Sequence, residues 1–144
     1  MQDQEVRTAP RLSTLPGGEL RAIWDSGGDE AVIQFYPKGD GVVLDYIRVR
    51  EGSQHHGWAL FAEAMRAAGI VRPRFLESSP IISPVLSKLI QSGKDADLAL
   101  AQRFWHIQAL AGAKAVGAIL TSAELLKNSR GNWIARCQVT YESK

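Results

Sequence analysis

The chain has 144 residues, 45% apolar and 22% charged, with 13 Gly, 6 Pro and one Cys. A chain of this length can bury roughly two-thirds of its unfolded surface, so one domain over residues 1–144 can build a core without metals or cross-links. The lone Cys137 excludes an internal disulfide, a Cys-x-x-Cys redox pair and a Cys/His zinc spacing, and it fits a reducing compartment. Lys plus Arg total 17 against 15 Asp plus Glu, a formal net charge of +2, so polyanion binding is permitted without being indicated.

The longest apolar run, near Ala109 to Leu120, is broken by Gly112, Lys114 and Gly117 and falls short of the roughly 20 residues a membrane-spanning helix needs. The polar opening Met1-Gln2-Asp3-Gln4-Glu5 does not resemble a secretory signal. The expectation is a cytoplasmic protein with no membrane partner.

Residues 1–18, with Pro10, Pro16 and the pair Gly17-Gly18, read as an irregular arm ending in a turn. Glu19 to Trp24 and Ala31 to Tyr36 carry apolar side chains around the turn residues Asp25-Ser26-Gly27-Gly28-Asp29, which predicts a hairpin. After the turn Pro37 to Gly41, the β-branched run through Val49 reads as a buried central strand, giving three antiparallel strands in succession.

From His55 to Ala68 the period lengthens, with Leu60, Phe61, Ala64, Met65 and Ala68 on one helical stripe that stops at Gly69. Val71 to Leu76 reads as a further strand, and Ser78 to Pro84 as a loop before a short helix over Val85 to Gln91. Asp95 or Asp97 can cap an alanine-rich helix reaching Ala111, and a further helix is expected around Thr121 to Lys127. Trp133, Ala135, Cys137, Val139 and Tyr141 alternate with polar positions as a last half-buried strand. The class is mixed α and β.

Chemistry concentrates in Val49-Arg50-Glu51-Gly52-Ser53-Gln54-His55-His56-Gly57-Trp58-Ala59, where a strand ends in a glycine-containing loop that opens into a helix. The first amides of a helix lack intrahelical partners and carry the positive end of its dipole, so a phosphate or pyrophosphate fits there. Gly57 lacks a Cβ and lets a ligand approach the backbone.

Gln54-x-x-Gly57-x-Ala59 resembles the Gln/Arg-x-x-Gly-x-Gly/Ala signature of the GNAT acyltransferase superfamily, in a context of strand, signature, amphipathic helix and strand that covers about 45 residues, Val32 to Leu76. Glu51 stands where that family usually has proline, and His55, His56 and Trp58 replace smaller or basic residues. The family's later Asn and its Tyr-terminated helix have no recognisable counterpart. Ala96 to Gly117 is similar to the downstream helix of GNAT-like modules in bacterial polymorphic toxins.

The resemblance implies a mostly antiparallel central sheet with a crossover helix, here with a helical C-terminal third. It also implies acetyl-coenzyme A as cosubstrate, no metal, and direct transfer to an amine such as an aminoacyl-tRNA, a protein lysine or a small metabolite. It places the coenzyme on Ile47, Val49, Gln54, His55, His56, Gly57, Trp58 and Ala59.

For acyl transfer the acceptor amine must lose a proton, and Asp45 is the base expected from the strand before the loop, its pKa raised by burial. Tyr46 or Ser78 would return a proton to the thiolate. Asp45 serves equally well as a strand carboxylate pairing with Arg48 or Arg50. Adjacent His55 and His56 point apart and do not form one metal site. The tryptophans read as core or rim aromatics, and Cys137 as a small buried hydrophobe. The alternative to an enzyme is a non-catalytic GNAT-like scaffold that binds a protein partner, or a second copy of itself, through Lys94 to Asn128.

Overall fold

The computed structural model describes residues 9–24, 31–49, 57–79 and 84–142, which hold seven strands and three helices. Strand pairing is antiparallel in every register described. The mixed α and β class therefore stands. The chain forms two compact units, Met1–Tyr36 with Leu44–Val71, and Pro37–Val43 with Arg72–Lys144. The β3–β4 hairpin is divided between them.

In the first unit β1 (Arg11–Thr14), β2 (Leu20–Trp24), β3 (Ala31–Lys38) and β4 (Gly41–Val49) follow one another in space as in sequence. The expected hairpin is present, with Leu20↔Phe35, Ala22↔Ile33 and Trp24↔Ala31 in register. Its turn, residues 25–29, lies outside the described residues. Within the stretch expected to be an irregular arm, Arg11–Thr14 instead pair with β2. Local composition hid this strand because all four residues are exposed and carry no apolar alternation. The Leu15 amide donates to the Glu19 carbonyl at 2.7 Å, and Gly17 and Gly18 take φ of 98° and 93°, which closes the predicted turn.

Because cross-strand partners share a face, Ala22, Trp24, Ala31, Ile33 and Phe35 form one buried surface. The helix α1 (Gly57–Ala67) buries Leu60, Phe61, Ala62, Ala64 and Met65, and the Phe61 ring meets Phe35 edge-on at 5.9 Å. Gly69 at φ 80° ends it: the Gly69 amide donates to Arg66 and the Ile70 amide to Met65, the paired bonds of a glycine-terminated helix.

The second unit contains β5 (Phe75–Ser78), α2 (Pro84–Ser92), α3 (Asp95–Ala115), β6 (Ile119–Lys127) and β7 (Trp133–Thr140), with strand order β5-β7-β6. The last strand alternates as expected: Ala135, Cys137 and Val139 are buried. Two expectations fail. The strand placed over Val71 to Leu76 starts only at Phe75, because Val71 is 78% exposed, Arg72 takes φ of 54° and Pro73 has no N–H for a ladder. The helix expected around Thr121 to Lys127 is strand β6, so the C-terminal third is not all helical. Helix propensity in Ala123 to Lys127 is overridden by pairing with β7 from Ile119↔Thr140 to Lys127↔Trp133.

Candidate functional site

The strand that precedes the expected anion loop is β4, and its burial changes halfway along. Gly41 to Leu44 are buried, whereas Asp45, Tyr46 and Arg48 are exposed and Ile47 and Val49 half-buried. The buried central strand read from composition is therefore half right. Asp45 is not enclosed by apolar neighbours, and the burial expected to raise its pKa is absent. The β-branched run concealed this because periodicity does not reveal where a sheet face loses its cover.

The group that takes the shift is Glu19, which sequence reading did not single out. A hydrogen bond with Asp45, then desolvation, then the Asp45 charge push the Glu19 carboxyl up to about 7, against the opposing charge of Arg21. Its Oε2 is shielded from solvent and has no hydrogen-bond partner. Arg21 shares this environment, and its Nε and Nη2 donate to the Gln34 amide oxygen at 3.2 Å each, across the β2–β3 register. Glu19, Arg21, Gln34 and Asp45 thus form a polar cluster in the first unit. Sequence periodicity could not reveal the Glu19–Asp45 contact, since 26 positions separate them in the chain and β3 lies between β2 and β4.

Ile47 lies at the start of α1. A Cβ built on Gly57 would stand 3.3 Å from Ile47 Cδ1, and no other atom among the described residues falls within 4 Å. One flank of the helix opening is therefore packed by the protein's own methyl group. Trp58 is half-buried with its ring 6.2 Å from Phe61, and Ala59 is exposed. Gln54, His55 and His56 lie outside the described residues, as does Arg50.

Tyr46 is 41% exposed beside Asp45, on the opposite side of the strand. Ser78 belongs to the second unit, is buried, and stands in β5 opposite Ala135 rather than in the loop expected to begin there. Next to it, buried Glu77 is held by Lys38 Nζ at 3.5 Å and Arg136 Nη1 at 3.8 Å, so this carboxylate is committed to an ion cluster. Burial pushes the Cys137 thiol up to about 11 in spite of a hydrogen bond with the Leu76 backbone, which leaves it protonated and inert. Among the described residues no group of three His, Cys, Asp or Glu is arranged to hold a metal, and no helix is long and apolar enough to cross a membrane.

Comparison with protein-family models, with curated proteins and with solved structures returns no match to this chain.

Proposed function

We propose that this chain is an acyl-coenzyme A dependent N-acyltransferase of GNAT-like architecture, acting on an amine. The observation that carries the reading is the pairing of a proton-accepting cluster with an open helix start. Asp45, the hydrogen-bond partner of Glu19, sits two residues before Ile47, and Ile47 packs on Gly57 at the first turn of α1.

In this reading the amides of Gly57, Trp58 and Ala59 bind the coenzyme pyrophosphate, together with Gln54, His55 and His56. The Glu19 carboxyl, its pKa pushed up to about 7 by its hydrogen bond with Asp45, suits a base that must take a proton from an ammonium acceptor. The freed amine attacks the thioester carbonyl, the new N–C bond replaces the C–S bond, and the departing thiolate takes a proton from water, since Tyr46 points to the face opposite Asp45. The backbone amides near Ile47 and Val49 stabilise the oxyanion. An aminoacyl-tRNA or protein amine fits the slightly basic chain, and a toxin role follows if expression arrests growth.

Mass spectrometry of the purified protein should find bound coenzyme A, and titration with acetyl-coenzyme A should raise the melting temperature by mass action. No shift at saturating cosubstrate overturns the assignment. The non-catalytic scaffold reading draws its support from a separate feature, the apolar outer face of α3.

A further inference from the structure

The helix α3 packs on β6, β7 and α2 of its own unit and still leaves apolar side chains exposed. Ala101, Trp105, Ala109, Gly112 and Ala113 are buried. The Trp105 indole donates to the Arg136 carbonyl at 3.1 Å, and Gln102 bonds the β6 backbone, which fixes that side against the strands. The opposite side keeps Leu100, Ile107 and Leu110 exposed, Ile107 to 62%, with Phe104 half-buried between them.

Half-buried Phe104 and three exposed residues of α3 follow a definite spacing, which Leu110 flanks. Leu100, Phe104, Ile107 and Ala111 are separated by four, three and four residues, the alternation of a coiled-coil seam. Continuing the same alternation outward places Asp97 at one end and Lys114 at the other, in the first and last turns of the helix. This six-residue series is symmetric about its midpoint. Turned end over end, Asp97 meets Lys114, Leu100 meets Ala111, and Phe104 meets Ile107. An antiparallel pair of identical helices makes these matches twice, and it sets the two helix dipoles head to tail. A parallel pair would set Asp97 against Asp97 and Lys114 against Lys114.

We propose that two copies of this chain associate through α3, packed antiparallel about a two-fold axis between Trp105 and His106, with Phe104 and Ile107 at the centre and Asp97–Lys114 pairs closing both ends. A second copy is the occupant because the charges at the ends of the seam complement its own reversed image. The seam from Asp97 to Lys114 is about five helical turns long, a single pair of helices, so the association is expected to be weak, roughly micromolar, and to depend on concentration. The inference stands independently of acyltransferase activity.

Sedimentation equilibrium of the full chain from about 1 to about 200 μM is the test, a range set by that expected affinity. The wild type should rise to twice the chain mass, and Ile107→Glu should remain monomeric. Ile107 is exposed, so this change leaves the fold intact, which an unchanged circular dichroism spectrum checks. Asp97→Lys or Lys114→Glu alone should weaken association roughly tenfold, and the double variant should restore it. A wild type that stays monomeric throughout, or a dimer that Ile107→Glu leaves untouched, overturns the proposal. Single charge reversals without rescue in the double variant overturn the antiparallel register.

Discussion

The Phe75 ring lies over the backbone of Gly41, so closely that a Cβ at position 41 would fall inside the ring's contact distance. The Arg136 guanidinium carbon stacks 4.0 Å from the centroid of the same ring. The hairpin tip is further tied to β5 by the Arg74 amide, which donates to the Asp40 carbonyl at 2.7 Å. Gly41 is therefore a packing position rather than only a turn residue. Gly41→Ala should destabilise the protein by about 1–3 kcal/mol, because the ring and the guanidinium on it must both move. Urea denaturation checks this, and an unchanged midpoint would show that the ring has room to rotate away.

The ion cluster beside that ring makes a second test. Glu77 is buried between Lys38 and Arg136, and the Arg136 Nε is itself shielded without a partner. Glu77→Leu leaves a half-buried guanidinium uncompensated and should cost about 2–4 kcal/mol, whereas Lys38→Ala, which removes a largely exposed partner, should cost under about 1 kcal/mol. Thermal denaturation of the two variants should separate clearly.

Gln102 acts as a substitute strand for β6. Its Nε2 donates to the Ala123 carbonyl at 2.7 Å and its Oε1 accepts from the Leu125 amide at 3.0 Å, which satisfies both groups of an edge strand. Gln102→Ala should lower stability by about 1–3 kcal/mol and raise the tendency of β6 to pair between chains. Hydrogen exchange at Leu125 should accelerate in the variant.

The Glu19–Asp45 contact fixes a pH dependence. Glu19 has a folded-state pKa of about 7 against an ordinary value of 4.5, so the native state holds the proton more tightly than the unfolded chain. That contribution is complete below about pH 4.5 and is lost as pH rises through about 7. The wild type should therefore lose stability between those values relative to Glu19→Gln, in melting temperatures recorded at matched ionic strength. Parallel curves for the two proteins would show that no proton is shared.

Gly57 distinguishes packing from ligand binding. Among the described residues a Cβ there meets the flexible end of Ile47 at 3.3 Å and nothing else, so Gly57→Ala should leave stability within about 1 kcal/mol of the wild type or raise it through better helix propensity. On the proposed function the same change weakens acetyl-coenzyme A binding, and Gly57→Trp abolishes it, read as loss of the ligand-induced thermal shift. Full retention of that shift in Gly57→Trp would move the coenzyme elsewhere.

What the residues alone determined is local. β-branched runs, glycine punctuation and the three-to-four spacing of Leu60, Phe61, Ala64 and Met65 set the β2–β3–β4 succession and α1, because hydrophobic periodicity is a property of neighbouring positions. Cys137 was legible as core for the same reason. What the tertiary structure decided involves partners distant in the chain. Residues Ile119–Lys127 became a strand because β7 and Gln102 offered their backbone a ladder, and Arg11–Thr14 became one because β2 did. The raised carboxyl pKa belongs to Glu19, which nothing in its local sequence marks, since the pKa of a carboxyl is set by whatever charge and cover the fold brings within a few ångströms.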